Sequence, residues 1–156
     1  MMKALIACLA VLTWAVSGQE VPKPGGEKNV DDDKKSMEGL WVPTKAVLGG
    51  QPLPAPALKA ITLKIERDKY EVTVKGEPEP DQGTTTVNST TDPKTMTITS
   101  TNGPNRGKSF PAIYELKGET MQVCYDLSGE KHPTEFKSVK GTHLYWVTYK
   151  RKGKEQ

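Results

Sequence analysis

The sequence is poor in the residues from which catalytic and metal centres are built. It holds two cysteines, Cys8 and Cys124, and two histidines, His132 and His143. No His or Cys stands near another at metal-ligand spacing, which argues against a zinc site. A strong charge excess is missing too: 22 basic residues face 19 acidic ones, a balance that implies no nucleic-acid partner. Helical periodicity is nearly absent, with one brief turn from Pro54 to Lys59 as the candidate, since proline sits well in a first helical turn. No phosphate-cradling loop is present, because the glycines of the segment from Asn102 to Gly107 lack a strand-loop-helix context. Asp126 and Glu135 are not singled out as a tuned acid/base pair. These absences predict a non-catalytic protein with no cofactor and no metal.

The one extended apolar run is N-terminal. Lys3 precedes an apolar stretch from Ala4 to Val16, broken by Thr13, and small residues follow at Ala15, Ser17 and Gly18. The run is too short to anchor in a bilayer and no stop-transfer segment follows it, so no stable membrane insertion is expected. Residues 1–17 read as a secretory signal peptide, with cleavage after Ser17 or after Gly18. The expected localisation is export to the periplasm or beyond. Leu5-Ile6-Ala7-Cys8 looks like a lipobox, but most of the apolar run lies after Cys8, which argues against lipidation there. With the signal removed, Lys3 is lost and 21 basic groups remain against 19 acidic ones. Cys124 is then the sole cysteine, so no intramolecular disulfide can form, and burial is the expected protection of its thiol.

Residues 18–36 carry Pro22, Pro24, Gly25, Gly26 and the run Asp31-Asp32-Asp33-Lys34-Lys35. They read as a flexible polar spacer, too polar to bury anything. Residues 37–151 form the expected folded domain, and residues 152–156 a solvated basic tail.

Inside the domain the strands announce themselves by alternation. Ile61, Leu63 and Ile65 share a face, and Tyr70, Val72 and Val74 share another beyond a tight turn at Arg67-Asp68. So short a link makes the two strands antiparallel neighbours. Phe110, Ala112, Tyr114 and Leu116 define a further face, followed by Met121, Val123 and Tyr125 after the turn at Lys117-Gly118. The last strand runs from His143 to Lys150 with apolar residues on both faces. Threonine-rich strands from Gly83 to Asn88 and Lys94 to Thr101 supply little core beyond Met96 and Ile98. A short strand is also expected around Glu135-Phe136-Lys137. The fold class is therefore all-β: about eight antiparallel strands that close into a small up-and-down barrel of lipocalin or calycin type, with a two-sheet sandwich as the alternative.

Aromatic residues lie in or beside these strands, and six are candidates for the barrel interior: Trp41, Tyr70, Phe110, Tyr114, Tyr125 and Tyr145. Inward aromatics of a small barrel either plug it or line a pocket for a small apolar ligand. The first case leaves a cell-envelope protein that binds or inhibits another protein through its loops, the second a carrier.

Several segments also resemble a known family. They are Glu38-Gly39-Leu40-Trp41-Val42-Pro43, Leu48-Gly49-Gly50-Gln51-Pro52-Leu53-Pro54, Asn102-Gly103-Pro104-Asn105-Arg106-Gly107-Lys108, the stretch from Ile113 to Met121 with Cys124, and Pro133-Thr134-Glu135-Phe136. Together they are similar to uncharacterised secreted bacterial proteins, abundant in planctomycetes, over Met37 to Lys150. The resemblance implies a lipocalin-like barrel behind a signal peptide and no established activity. Its Gly-x-Trp element further implies a late basic residue, Lys150 or Arg151, packed across Trp41.

Overall fold

The computed structural model describes residues 30–153. The signal peptide read over 1–17, with Cys8, lies outside the described residues, as do residues 18–29 of the spacer and 154–156 of the tail. The chain opens with helix α1 (Val30–Met37) and strand β1 (Gly39–Leu48). A two-residue strand β2 (Gln51–Pro52) and helix α2 (Ala55–Ala60) follow. Seven strands complete the fold: β3 (Ile61–Glu66), β4 (Lys69–Val74), β5 (Asp81–Asn88), β6 (Lys94–Asn102), β7 (Ser109–Lys117), β8 (Thr120–Asp126) and β9 (Leu144–Arg151).

β1 pairs antiparallel with β3, each strand from β3 to β8 pairs antiparallel with the next, and β9 returns to pair with β1 from Trp41↔Arg151 to Leu48↔Tyr145. With β2 a short appendage on β1, the result is a closed antiparallel barrel of eight strands. Closure removes the open edges that the threonine-rich strands β5 and β6 would otherwise present. Pro43 lies where the β1–β9 register shifts before Lys45, a bulge that accommodates a residue with no N–H to donate.

The two ends of the barrel differ. At one end the links between strands are shorter: Arg67-Asp68 between β3 and β4, residues 89–93 between β5 and β6, and Gly118-Glu119 between β7 and β8. The opposite end carries the long links, residues 49–60, 75–80, 103–108 and 127–143. Helix α1 sits at the tight end and closes it. This corrects the expectation that residues 30–36 belong to a flexible spacer too polar to bury anything. Asp33 and Met37, one turn apart on the same helix face, are 6% and 2% exposed. Asp33 is acceptable there because its Oδ2 takes a hydrogen bond from the Tyr114 hydroxyl at 2.8 Å and an ion pair with Lys94 Nζ at 2.6 Å. The helix places its acidic residues in the first turn and Lys34 and Lys35 in the last, matching the macrodipole.

The Gly-x-Trp element fastens the same end. Trp41 is fully buried and its Nε1 donates to the Met37 carbonyl at 2.9 Å, satisfying one of the orphan acceptors at the end of α1. Of the two basic candidates, Arg151 is the one that packs on Trp41, its guanidinium 4.2 Å from the ring centroid. Its Nη2 donates to the Ser36 carbonyl at 2.8 Å, its Nη1 to the Glu38 carbonyl, and its Nε pairs with Glu119 at 3.0 Å. Gly39 is required by this arrangement: its φ is +132°, and a Cβ there would lie 2.8 Å from Arg151 Nη1.

A second correction concerns Glu135-Phe136-Lys137, which is a bend within residues 127–143 and not a strand. That long link folds back on the outside of the barrel. Cys124 points outward from β8, opposite to Val123 and Tyr125, and is fully buried with its Sγ 3.4 Å from the Lys137 carbonyl. Its register partner Ile113 is likewise fully buried. The expected brief helical turn near Pro54 is α2.

Trp41→Ala should cost about 3–5 kcal/mol, the range for removing a buried aromatic, measured by urea unfolding. A loss well under about 1 kcal/mol would show that the tight end is held by other contacts.

Candidate functional site

The alternation that builds the barrel also leaves its centre unfilled. Between α1 and the long links lies a cavity of about 280 Å³. Met37 and Met121 reach it from below, Leu63, Val72 and Ile98 line its walls, and Leu127, 37% exposed, stands where it meets solvent. Most of the lining is aliphatic or aromatic.

Four of the six expected interior residues line this cavity: Tyr70, Phe110, Tyr125 and Tyr145. The other two are buried but do not reach it. Trp41 is sealed under Arg151 at the closed end, and Tyr114, 1% exposed, is committed to Asp33 beneath α1. Both therefore hold the floor and are not contact residues of the cavity. Sequence reasoning missed Tyr149, which shares the inward face of β9 with Tyr145 and Val147. The signal was available in that spacing, but apolar residues on both faces of β9 obscured which set points in.

Tyr70, Tyr125, Tyr145 and Tyr149 bring their rings together in the cavity. The rings of Tyr125 and Tyr145 stack with centroids 5.8 Å apart, and the Tyr125 and Tyr149 hydroxyls are 3.5 Å apart. Burial, reinforced by neighbouring phenols, raises Tyr149 well above the ordinary phenol range. Burial likewise raises Tyr125 and Tyr145, and it pushes Tyr70 up to about 12. The Tyr70 hydroxyl is buried beside Ser100 and Asp81, but makes no well-formed hydrogen bond among the described residues.

Polar side chains enter the lining mainly from one side. Asp81 and Thr85 project from the inward face of β5, and Asn105 comes from the link between β6 and β7. Asp81 Oδ1 accepts from Ser100 Oγ at 2.5 Å and its Oδ2 from Asn105 Nδ2 at 3.0 Å. Gly83 occupies the intervening inward position of β5, in register with Tyr70 on one side and Ser100 on the other. A Cβ there would lie 1.9 Å from the Thr99 carbonyl oxygen, so glycine is obligatory where the two strands approach. Asp81 and Thr85 are not legible as inward residues because threonines on both faces of β5 mask its alternation, and Asn105 lies in a link with no alternation to read.

The remaining chemistry-bearing residues stay apart. Asp126 accepts from the Ser128 hydroxyl and from the backbone amides of Ser128 and Lys131. Burial raises its carboxyl pKa, and these hydrogen bonds outweigh that and hold it below the ordinary value. Glu135 is exposed and pairs with Lys137, so the two carboxylates do not form a dyad. His132 is exposed, with Nε2 3.5 Å from Thr97 Oγ1. Among the described residues no cluster of His, Cys, Asp and Glu is arranged to hold a metal ion, and no helix is long and apolar enough to cross a membrane. Burial pushes the Cys124 thiol up, which disfavours the thiolate a nucleophile needs.

No protein-family model, curated protein or solved structure matches this chain.

The tyrosine cluster makes alkaline stability a direct readout of the site. Phenols whose folded pKa is raised contribute stability that is complete below the unfolded value of about 10 and is lost as pH rises through the folded values. Absorbance at 295 nm should show delayed phenolate formation above about pH 10, followed by cooperative ionisation as the near-ultraviolet dichroism collapses. Tyrosine ionisation complete near pH 10 with the fold intact would mean the cluster is solvated.

Proposed function

We propose that this protein is an exported, non-catalytic barrel of lipocalin type that carries a small apolar ligand in its interior. The cavity carries this reading: about 280 Å³, lined largely by apolar and tyrosine side chains, between a fastened floor and a rim of long links. Its volume lies just below the roughly 300–1,000 Å³ typical of ligand pockets, which suits a single fused ring system or a short acyl chain. Export is supported by the apolar run from Ala4 to Val16 behind Lys3. The lipocalin reading is supported by Gly39, Trp41 and Arg151, which act together at the closed end. An occupied cavity also stabilises the fold by mass action, since the unfolded chain offers no equivalent site. The same cavity favours a carrier over a protein-binding module on a plugged barrel.

Indole is a suitable first probe, being a compact apolar ring system. In protein carrying ¹³C-methyl methionine, saturable shifts are expected for Met37, Met96 and Met121, all of which line the cavity. Ile98→Trp should fill the space from the β6 wall and weaken indole binding by at least about ten-fold with the fold retained. Methionine signals that stay fixed through millimolar indole would sink the carrier reading.

A further inference from the structure

Asp81 is an unusual group to find on the wall of such a cavity. Its carboxylate has about four lone-pair sites and accepts from two neutral donors, Ser100 Oγ and Asn105 Nδ2, with the Tyr70 hydroxyl close beside it. Among the described residues no Lys, Arg or His lies within ion-pair distance of it, and none lines the cavity. Asp33 is the contrast within this same barrel. It is buried at the closed end and carries Lys94 as its counter-ion at 2.6 Å. Asp81 is half-buried near the rim, and a positive charge entering the cavity meets its carboxylate with no protein cation to displace.

The surroundings of Asp81 have the same sign. The Tyr70 hydroxyl, on a residue 6% exposed, lies beside Asp81 and Ser100 without a well-formed hydrogen bond to either, and its oxygen is open to a donor entering the cavity. The rings of Tyr125, Tyr145 and Tyr149 add electron-rich faces, which attract cations. An anionic ligand head would meet a carboxylate and no cation, so fatty acids and other carboxylates are disfavoured occupants. A lone carboxylate among neutral oxygens also falls short of a metal site.

We propose that the ligand is a small organic amine, bound as its ammonium ion with the charge at Asp81 and its apolar body among the aliphatic walls. This rests on the carrier reading and names the chemical class that reading leaves open. Specificity follows from the pairing: the ammonium donates to the free lone pairs of Asp81 and to the Tyr70 hydroxyl, while Ser100 and Asn105 hold the carboxylate in place. Charge-assisted hydrogen bonds of this kind are about twice as strong as neutral ones, so they separate an amine from its neutral isostere.

Calorimetric titration with three ligands that share the indole ring tests this: tryptamine, tryptophol and indole-3-acetate. Tryptamine is expected to bind at least about ten-fold more tightly than tryptophol, with no measurable binding of indole-3-acetate. Asp81→Asn should erase the preference for tryptamine while tryptophol affinity stays within about two-fold. Equal affinity of the wild-type protein for tryptamine and tryptophol, or preference for indole-3-acetate, overturns the amine assignment and leaves the carrier reading standing if indole binds. Failure of indole and all three relatives removes both. The wild-type comparison decides the matter even where the Asp81 variant folds poorly.

Discussion

The packing of Arg151 across Trp41 is the interaction on which the rest of this barrel depends. Arg151 is the last residue of β9 and Trp41 lies near the start of β1, so the contact spans the seam where the sheet closes on itself. One guanidinium covers the indole face, bonds the carbonyls of Ser36 and Glu38, and pairs with Glu119 at the β7–β8 turn. The planar fork of arginine can serve these partners at once, and lysine, a point charge with no planar face, could not. Gly39 is part of the same device, since its missing side chain leaves room for the guanidinium to pass. Sequence closure, helix docking and barrel closure therefore meet at one side chain.

A fastened floor has consequences for the interior. Small closed barrels are normally filled by their inward side chains. Here the two bulkiest aromatics of the lower barrel, Trp41 and Tyr114, are drawn down to hold α1, and neither reaches the middle. Gly83 takes an inward position that a larger residue cannot occupy, and Thr85 and Asp81 follow on the same strand face. The unfilled centre is the residue of these local demands. Apolar surface left facing an unfilled space forfeits packing contacts, so the stability given up there has to be carried by the floor and by the buried outer layer around Cys124 and Ile113.

Legibility in the sequence followed the same division. Strands with one apolar face, such as β3, β4, β7 and β8, were plain from alternation, and the turns at Arg67-Asp68 and Lys117-Gly118 gave their order. The barrel and four of its cavity residues followed directly. Helix α1 was hidden because its burial is achieved by Asp33 through Tyr114 and Lys94, partners far along the chain. A polar residue at a core position breaks the period that hydrophobic patterns report. The polar wall was hidden for a related reason: in β5 the inward Thr85 looks like the outward Thr84 and Thr86, and facing is decided by neighbours that composition does not name.

Two aspartates in one barrel show how the same side chain is given opposite tasks. Asp33 sits on the helix that seals the floor, where Lys94 and Tyr114 neutralise and bind it, and its charge is wholly spent inside the protein. Asp81 sits at the start of β5, near the open rim, and its two protein partners are neutral. Replacing the first leaves the half-buried Lys94 ammonium and the buried Tyr114 hydroxyl without their partner, so its cost falls on folding. Replacing the second removes a half-buried charge that no protein cation pairs with, so folding loses two hydrogen bonds and no ion pair. A group that the fold orients but does not neutralise is the one left with binding capacity, and in this barrel that group faces the cavity.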